Sequence, residues 1–455
     1  MADLVPHRRI HVVGAGGAGM SGLAKILAQA GHVVTASDLK PAAALAALDA
    51  VGVTTWVGHR PGEAANWDLV VASSAVPARD PELTAARNAG VEMWERPRLL
   101  EAFTAQLPTL AVTGTHGKTT GTAMLITLYR SLGRDPSFMV GGEMVDLNTN
   151  AHLGAEPLFL LEADEAFGTF SRLSLQGLAV TNVEADHLDH YRTVGALEEA
   201  FAAVAGAVDG PVVACLDDPG SGRIAANVPG VVGYGEARDA TWRISDLAHQ
   251  PGAVAFTLSG PGGSAPVRVP KPGAHIARNA AGVLALAGEL GVDLMAAAEA
   301  LSRFAGVRRR YEIRGRLAGI TIIDDYAHHP TEVAATIAAA SQGDGGRIVA
   351  AFQPHRFSRT AELGSALGEA LAGAARVFVT DVYAAGEAPI PGVTGRVVAD
   401  AAAGAGAEVT FIPRRSDLAP AIAAESGPGD TVLLLGAGDV TLVADELAPL
   451  LAQRR

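Results

Sequence analysis

The sequence predicts an α/β protein of three domains: a Rossmann-like N-terminal domain, a central phosphate-loop domain of the ATPase type and a doubly wound C-terminal domain. Three observations carry that expectation. A chain of 455 residues suits about three domains of roughly 100–200 residues each. Apolar strand-like runs alternate with helical segments in three successive blocks, the pattern of parallel sheets covered by helices. Glycine-rich turns also sit between a strand and a helix in each of the first two blocks, at residues 14–19 and 114–117. The blocks are expected at 1–107, 108–311 and 312–455.

The first block opens with a strand at 10–13, a glycine turn, a helix near 20–30 and a strand at 33–36 that runs into Asp38, a β-α-β start. A buried strand at 69–72 ends at Ser73 and Ser74, and a further helix leads to about Leu107. The second block starts with a strand at 110–112, a Gly/Thr loop and a helix from Lys118; buried strands follow at 158–161, 179–181 and 212–215. Residues 242–269 alternate around Pro251-Gly252 and Pro261-Gly262-Gly263, which reads as hairpins. Helices are expected near 277–288 and 293–304. The third block restarts at 320–323, and strands near 348–352, 377–380, 409–412 and 432–435 alternate with alanine-rich helices, a second doubly wound domain. No period of about 20–50 residues repeats, which argues against a solenoid.

Composition narrows the partners. A net charge of −13 argues against nucleic acid or an anionic membrane surface. Anionic substrates must then be held by local dipoles, metal ions and a few cations. No uninterrupted apolar run of about 18 residues occurs, so no membrane span is expected. His7, Arg8 and Arg9 before an apolar run imitate a signal peptide, but a glycine cluster and Lys25 break the run and no cleavage pattern closes it. The expected location is cytoplasmic. Cys215 is the only cysteine, which excludes an internal disulfide and suggests a buried, inert thiol. Lys25, Lys40, Lys118 and Lys271 are the only lysines, so a lysine within a phosphate loop stands out where arginine is the default cation.

Four motifs carry chemistry. Gly14, Gly16 and Gly19, with Gly17 between them, have G-x-G-x-x-G spacing directly after a strand. Such glycines let backbone N–H groups and a helix N-terminus approach a diphosphate. Asp38 lies about where an acidic residue would meet a ribose hydroxyl. Alone, the motif admits a nicotinamide dinucleotide first, another diphosphate second and a plain structural turn third. The second motif, TGTHGKTT at 113–120, again joins a strand to a helix. Lys118 would bridge the β- and γ-phosphates of ATP and the Thr119 hydroxyl would bind Mg²⁺. Its spacing departs from the strict form, with Val112 where the first glycine would stand. Two nucleotide-type loops in adjacent blocks disfavour a simple dehydrogenase.

The third motif places Glu162, Asp164 and Glu165 after one strand and Asp186 and His187 after another. Carboxyl ends of parallel strands line the ligand crevice, and a hard cation takes carboxylate and phosphate oxygens. A hydrogen-bonded surface histidine is the bland alternative for His187. The fourth motif is a pair, DDYAHHPTE at 324–332 and FQPHRFSRT at 352–360, both after expected strands and so converging on one crevice. Arg356 and Arg359, three apart, would share a helical face and match a carboxylate. Surface salt bridges are the alternative for either arginine taken singly.

At these residues the chain resembles the Mur ligase family. GAGGAGMSGLA, GTHGKTT, EADE, TNVEADHLDHY, GVRRRYE, DDYAHHPTE, FQPHRFSRT, DVYAAGEAPIPG and LGAGDV follow one another across residues 8 to 445 in that family's order. GKTT is shared by the whole family, whereas DDYAHHPTE with FQPHR is similar to the alanine-adding branch. The resemblance implies ATP, UDP-N-acetylmuramate and L-alanine as substrates, two Mg²⁺ ions, and a monomer or homodimer. It assigns the N-terminal glycine loop, Gly14, Gly16, Gly17 and Gly19 with Asp38, Ser73 and Ser74, to the UDP-sugar diphosphate. Gly114, Thr115, His116, Gly117, Lys118, Thr119 and Thr120 would cradle ATP. Thr119 and Glu162 would hold one Mg²⁺ and His187 the second, so Lys118, Glu162 and His187 are the implied catalytic set. Asn279, Arg310 and Asp325 would hold the nucleotide, and Tyr326, His328, His355, Arg356 and Arg359 would line the alanine and muramate-carboxylate side.

The chain departs from the family's pattern in three places: Gly121 where threonine is frequent, the pair Ala166 and Phe167 in place of a Ser-Asp pair, and Ile276 in place of an asparagine. Relatives that add later residues use a carbamylated lysine in the central domain. Here no lysine lies between Lys118 and Lys271, so no bicarbonate requirement is expected. The rival readings are an NAD-dependent oxidoreductase, a non-catalytic nucleotide switch and a tripeptide-recycling relative.

Overall fold

The computed structural model describes residues 8–342 and 346–452; His7 of the basic N-terminal run lies outside them, as does the Phe167 side chain. The chain forms two compact units. Residues up to 245, with 257–267 and 278–305, make the first, and residues 246–256, 268–277 and everything from 306 onward make the second.

The first unit begins with a five-stranded parallel sheet, in the order Thr54–Val57, Val33–Asp38, Arg9–Val13, Leu69–Ala72, Glu92–Glu95. The first strand in sequence lies at the centre, so the chain winds outward in both directions from it. Ligands of doubly wound sheets bind at that reversal, beyond the strands' carboxyl ends. Both faces are covered, which explains strands without polar alternation. Ile10, Val12 and Val71 join the cluster under helix Ala18–Gln29, whereas Val13, Val70 and Ala72 pack with Trp56 and Trp67 on the other side. The helix contributes Met20, Leu23, Ala24 and Leu27, the i, i+3, i+4, i+7 stripe of one helical face.

A second sheet carries Val231–Gly235, Val212–Cys215, Gly177–Val180, Thr109–Thr113, Glu156–Glu162 and Pro136–Met144 as parallel neighbours, with Thr149–His152 antiparallel at the edge. Thr109–Thr113 is buried throughout. Register sets Val112 level with Glu162 and Thr113 level with Val180, so three adjacent strands release their loops side by side. The hairpin stretch forms strands Trp242–Gln250, Ala253–Gly260 and Gly263–Val269, turning at Gly252 (φ +66°) and Gly263 (φ +122°). The Cys215 thiol is buried, and burial pushes its pKa up to about 12, which suits an inert role.

The second unit contains a sheet ordered Glu312–Leu317, Ile320–Asp325, Thr431–Leu435, Ile348–Phe352, Arg376–Val379, Val409–Phe411; only the first pair is antiparallel. Side chains alternate between two cores. Ala350, Phe352, Leu433 and Leu435 join one, and Val349, Ala351, Val432 and Leu434 the other. Among the described residues no helix is long and apolar enough to cross a membrane.

Candidate active site

The phosphate loop follows from backbone geometry that only glycine adopts readily. Gly114 has φ +130° and Gly117 φ +83°; Gly117 caps helix Lys118–Ser131. The neighbouring strand end ties the loop down. Thr181 O–H donates to His116 O at 2.6 Å, His116 N–H to Asn182 Oδ1 at 2.7 Å, and Glu184 N–H to Thr115 Oγ1 at 2.9 Å. Thr181 and Asn182 were not singled out from the sequence, although they open the TNVEADHLDHY run. The Gly121 departure has a steric basis: a Cβ there would lie 2.9 Å from Val112 Cγ1, so a larger residue requires the Val112 side chain to give way.

The Lys118 side chain is 12% exposed, with Nζ donating to Gly114 O at 2.7 Å, Thr115 O at 3.1 Å and Glu165 Oε1 at 2.9 Å. Burial works against its charge, but Glu165, Asp164 and Glu162 outweigh burial and hold its pKa above the ordinary lysine value. Burial pushes the Glu165 carboxyl up, with Lys118 opposing. The pair therefore has a firmly cationic lysine and a carboxylate that is the weaker holder of its charge. Thr119 O–H donates to Glu162 Oε1 at 3.0 Å, and Gly141 N–H to Glu162 Oε2 at 2.6 Å. Thr120 follows in the first turn of the same helix.

One ligand atom each from Asp164, Glu165 and His187 lies within 4.8 Å of the other two, a spread suited to one cation. His187 caps a short helix at φ +53°, and left-handed non-glycine backbone of this kind gathers at functional sites. The donors, carboxylates, a hydroxyl and one imidazole, fit a hard cation such as Mg²⁺. Asp164 and Glu165 stand in the acidic motif of the sequence, but the resemblance assigned neither of them to a metal. Asn279 also reaches the loop, since a Cβ on Gly117 would stand 2.6 Å from its Oδ1.

At the N-terminal glycine loop, Gly14 and Ala15 donate their N–H groups to Ser37 O, both at 2.9 Å. The Asp38 carboxylate accepts from Gly16 N at 2.8 Å and Lys40 N at 3.1 Å, so it braces the loop. Gly17 caps helix Ala18–Gln29. Ser73 Oγ accepts from Ala75 N at 3.3 Å, and exposed Ser74 follows at the same strand end. Arg96 is an addition to the expected set: its Nε stands 3.1 Å from where a Cβ on Gly19 would be and is buried without a hydrogen-bond partner among the described residues.

In the second unit, DDYAHHPTE and FQPHR do meet. The rings of His328 and His355 are 6.2 Å apart, Tyr326 stands edge-on to His328 at 5.3 Å, and Arg309 and Arg310 lie over Tyr326 at 5.0 and 4.9 Å. Asp325 accepts from Tyr311 N at 2.7 Å and Ala327 N at 2.8 Å; burial lifts its pKa to about 6, with Arg310 opposing. Burial lowers His328 to about 4; it also lowers His355 to about 4, helped by His328, Arg359 and Arg356. Both imidazoles are thus neutral at pH 7.

The arginines differ from expectation. Arg356 precedes helix Phe357–Leu371 at φ +71° and Arg359 lies in its first turn, so they do not share a helical face. Arg356 Nε instead donates to Glu387 Oε1 at 2.6 Å. Burial opposes the Glu387 charge, but the Ser358 N–H and O–H and Arg356 hold its pKa at about 2.

Three family models match the chain: "Mur ligase family, catalytic domain" over residues 9–107, "Mur ligase middle domain" over 112–287 and "Mur ligase, glutamate ligase domain" over 309–438. The chain is 43% identical to a UDP-N-acetylmuramate–L-alanine ligase of Mycolicibacterium vanbaalenii, over 97% of this chain and 95% of that one. It is 44% identical to a protein of the same name from Kineococcus radiotolerans, over 98% and 97%. A crystal structure of UDP-N-acetylmuramate–alanine ligase from Thermotoga maritima matches with a TM-score of 0.86 at 28% identity, covering 99% of this chain and 100% of that one.

Proposed function

Because the chain belongs to the Mur ligase family, we propose that it is an ATP-dependent ligase joining L-alanine to the lactyl carboxylate of UDP-N-acetylmuramate, a step of peptidoglycan precursor synthesis. The observation that carries the reading is the meeting of Tyr326, His328 and His355 in the second unit, with Arg356 next to His355 in the chain and acting on its charge. A dehydrogenase or a nucleotide switch leaves that constellation without a task. A ligase needs a guanidinium for a carboxylate and neutral imidazoles near an amine that must lose its proton before it attacks.

In this proposal residues 1–107 bind the UDP-sugar, 108–311 bind ATP and 312–455 bind the amino acid. The helix at Gly17 offers backbone N–H groups to the diphosphate, with Asp38 bracing the loop, Ser73 and Ser74 beside it, and Arg96 as a further cation. Lys118 is held in place by two loop carbonyls and Glu165, which take its three donors, so it would exchange one of these partners for a phosphate oxygen when ATP binds. The muramate carboxylate oxygen attacks the γ-phosphorus, ADP leaves, and an acyl phosphate results. The alanine amine then attacks the acyl carbon, inorganic phosphate departs with the C–O electron pair, and the amide nitrogen sheds its proton. No enzyme nucleophile takes part, so the protein supplies charge and positioning. Thr119 and Glu162 would hold one Mg²⁺, and His187 with Asp164 and Glu165 the other. Mg²⁺, when bound, neutralises charge on the transferring phosphoryl group. These substrates fit a cytoplasmic enzyme, acting as a monomer or homodimer.

The direct test measures ADP release and amide formation with UDP-N-acetylmuramate and L-alanine. Product is expected with L-alanine and none with the tripeptide in its place; tripeptide-dependent turnover alone would assign the chain to a recycling relative. The metal assignment carries a second prediction. His187→Ala is expected to raise the Mg²⁺ concentration needed for half-maximal turnover. CO₂-depleted buffer is expected to leave wild-type activity unchanged, because no lysine other than Lys118 occurs between residues 41 and 270. Activity lost in that buffer and restored by bicarbonate overturns the metal assignment.

A further inference from the structure

The strand Arg376–Val379 leads into a loop over 381–394 whose geometry is costly to form. Asp381 Oδ1 closes its base by accepting from Val382 N and Gly395 N, both at 2.8 Å. Glu387 N–H returns to Ala384 O at 3.0 Å, with Ala385 at φ +49° and Gly386 at φ +89° between them. Two central residues with positive φ make a type I′ turn, which glycine, asparagine and aspartate normally fill. Ala385 is none of these. A second non-glycine residue with left-handed φ, Arg356 at +71°, faces this turn. Such backbone persists where surroundings over-determine it, and it collects at ligand clamps.

Between the two strained residues lies one ion pair. Glu387 accepts from Arg356 Nε at 2.6 Å, from Ser358 N at 3.0 Å and from Ser358 Oγ at 2.7 Å. The backbones are joined as well: Tyr383 N–H donates to Pro354 O at 2.8 Å and Arg356 N–H to Tyr383 O at 2.9 Å. The Tyr383 ring stacks on His355 at 5.6 Å, with 9° between planes. An ordinary exposed salt bridge requires neither strained backbone nor three donors on one carboxylate, and it contributes little. The guanidinium carries five N–H donors in a rigid fork. Among the described residues Glu387 engages it at Nε, and a second anion would take the terminal nitrogens. An α-amino acid carries its carboxylate and its amine on one carbon, and this site sets a guanidinium beside neutral imidazoles.

We propose that Glu387 is a positioning residue for amino-acid recognition: it fixes the Arg356 guanidinium so that the terminal nitrogens grip the α-carboxylate of the incoming L-alanine. The inference rests on the ligase reading above and adds a residue 31 positions away from the arginine it orients.

The test is a KM-against-kcat split in the full-length enzyme. Glu387→Gln is expected to raise the KM for L-alanine by about 10-fold or more, with the KM values for ATP and UDP-N-acetylmuramate and the melting temperature little changed. Ser358→Ala, which removes one donor, should raise the same KM by less. Arg356→Lys should raise it too, since lysine cannot present the fork, and the double variant Glu387→Gln/Arg356→Lys should be no worse than Arg356→Lys alone, because one acts through the other. The inference is overturned by an unchanged alanine KM in Glu387→Gln, by all three KM values rising together with a lower melting temperature, or by additive effects in the double variant. Wild-type enzyme without alanine-dependent turnover overturns the ligase reading and this inference with it, whereas an active wild type with unaffected Glu387 variants overturns this inference alone.

Discussion

Lys118→Met is expected to lower ATP-dependent turnover on the order of 10²–10³-fold or more, the loss that follows removal of a preorganised electrostatic donor. Methionine preserves the packing of the stem, so the loss reports charge. The wild-type ammonium is held by Gly114 O, Thr115 O and Glu165; removing it leaves those acceptors without a donor and the phosphoryl charge uncompensated. Stability should fall as well, because breaking a buried ion pair from one side leaves the other charge stranded. The pH dependence of that penalty has a definite sign. Burial already raises the Glu165 pKa and Lys118 opposes the rise, so without the lysine it rises further. A carboxyl whose folded pKa lies above its unfolded value favours the fold below the unfolded value and loses that contribution as pH climbs through the folded one. Lys118→Met should therefore be relatively more stable under mildly acidic conditions. Lys118→Met/Glu165→Gln should recover stability without recovering turnover. Near-normal turnover in Lys118→Met would remove the phosphate loop from the mechanism.

The contrast between Lys118 and Glu165 illustrates what was legible in the sequence. A lysine directly after a Gly-rich strand-to-helix turn has one geometric fate, the start of a helix, and helix Lys118–Ser131 starts there. Which carboxylate of Glu162, Asp164 and Glu165 faces it was not legible, because the period-2 alternation that orients strand residues ends at Glu162. The doubly wound sheets were readable from runs such as Val432–Leu435, buried on both faces. Two strands towards the sheet margins were not. Pro136–Met144 begins with a proline and contains Gly141-Gly142, and Glu312–Leu317 is polar and half-buried; both depend on pairing with a neighbour rather than on their own pattern. Arg356 failed as a helical-face residue because its left-handed φ is a property of the junction, and Glu387 was invisible because loop closure, not spacing, brings it across.

Gly114→Ala is expected to abolish ATP-dependent turnover to a similar degree, for a steric reason independent of charge. At φ +130° an L-residue pays for backbone strain of roughly 1–3 kcal/mol, and here the added methyl has nowhere to go. A Cβ would overlap Thr181 Oγ1 and stand 2.8 Å from Asn182 O and 2.9 Å from Asn182 N. Thr181 cannot retreat without releasing Thr113 O and His116 O, to which its hydroxyl donates at 3.1 and 2.6 Å. Asn182 is equally fixed by exchanging two hydrogen bonds with His116, at 2.7 and 3.0 Å. The loop must therefore move away from the strand end, taking with it Gly114 O, the shortest of the Lys118 contacts. Gly133→Ala separates strain from closure. Gly133 also has positive φ, +80°, but nothing lies within 4 Å of its added methyl. That variant should lose a few degrees of melting temperature and keep normal turnover. Gly114→Ala should lose both stability and turnover, with a higher KM for ATP. Equal behaviour of the two variants would mean that the close approach of loop to strand end has no part in nucleotide binding.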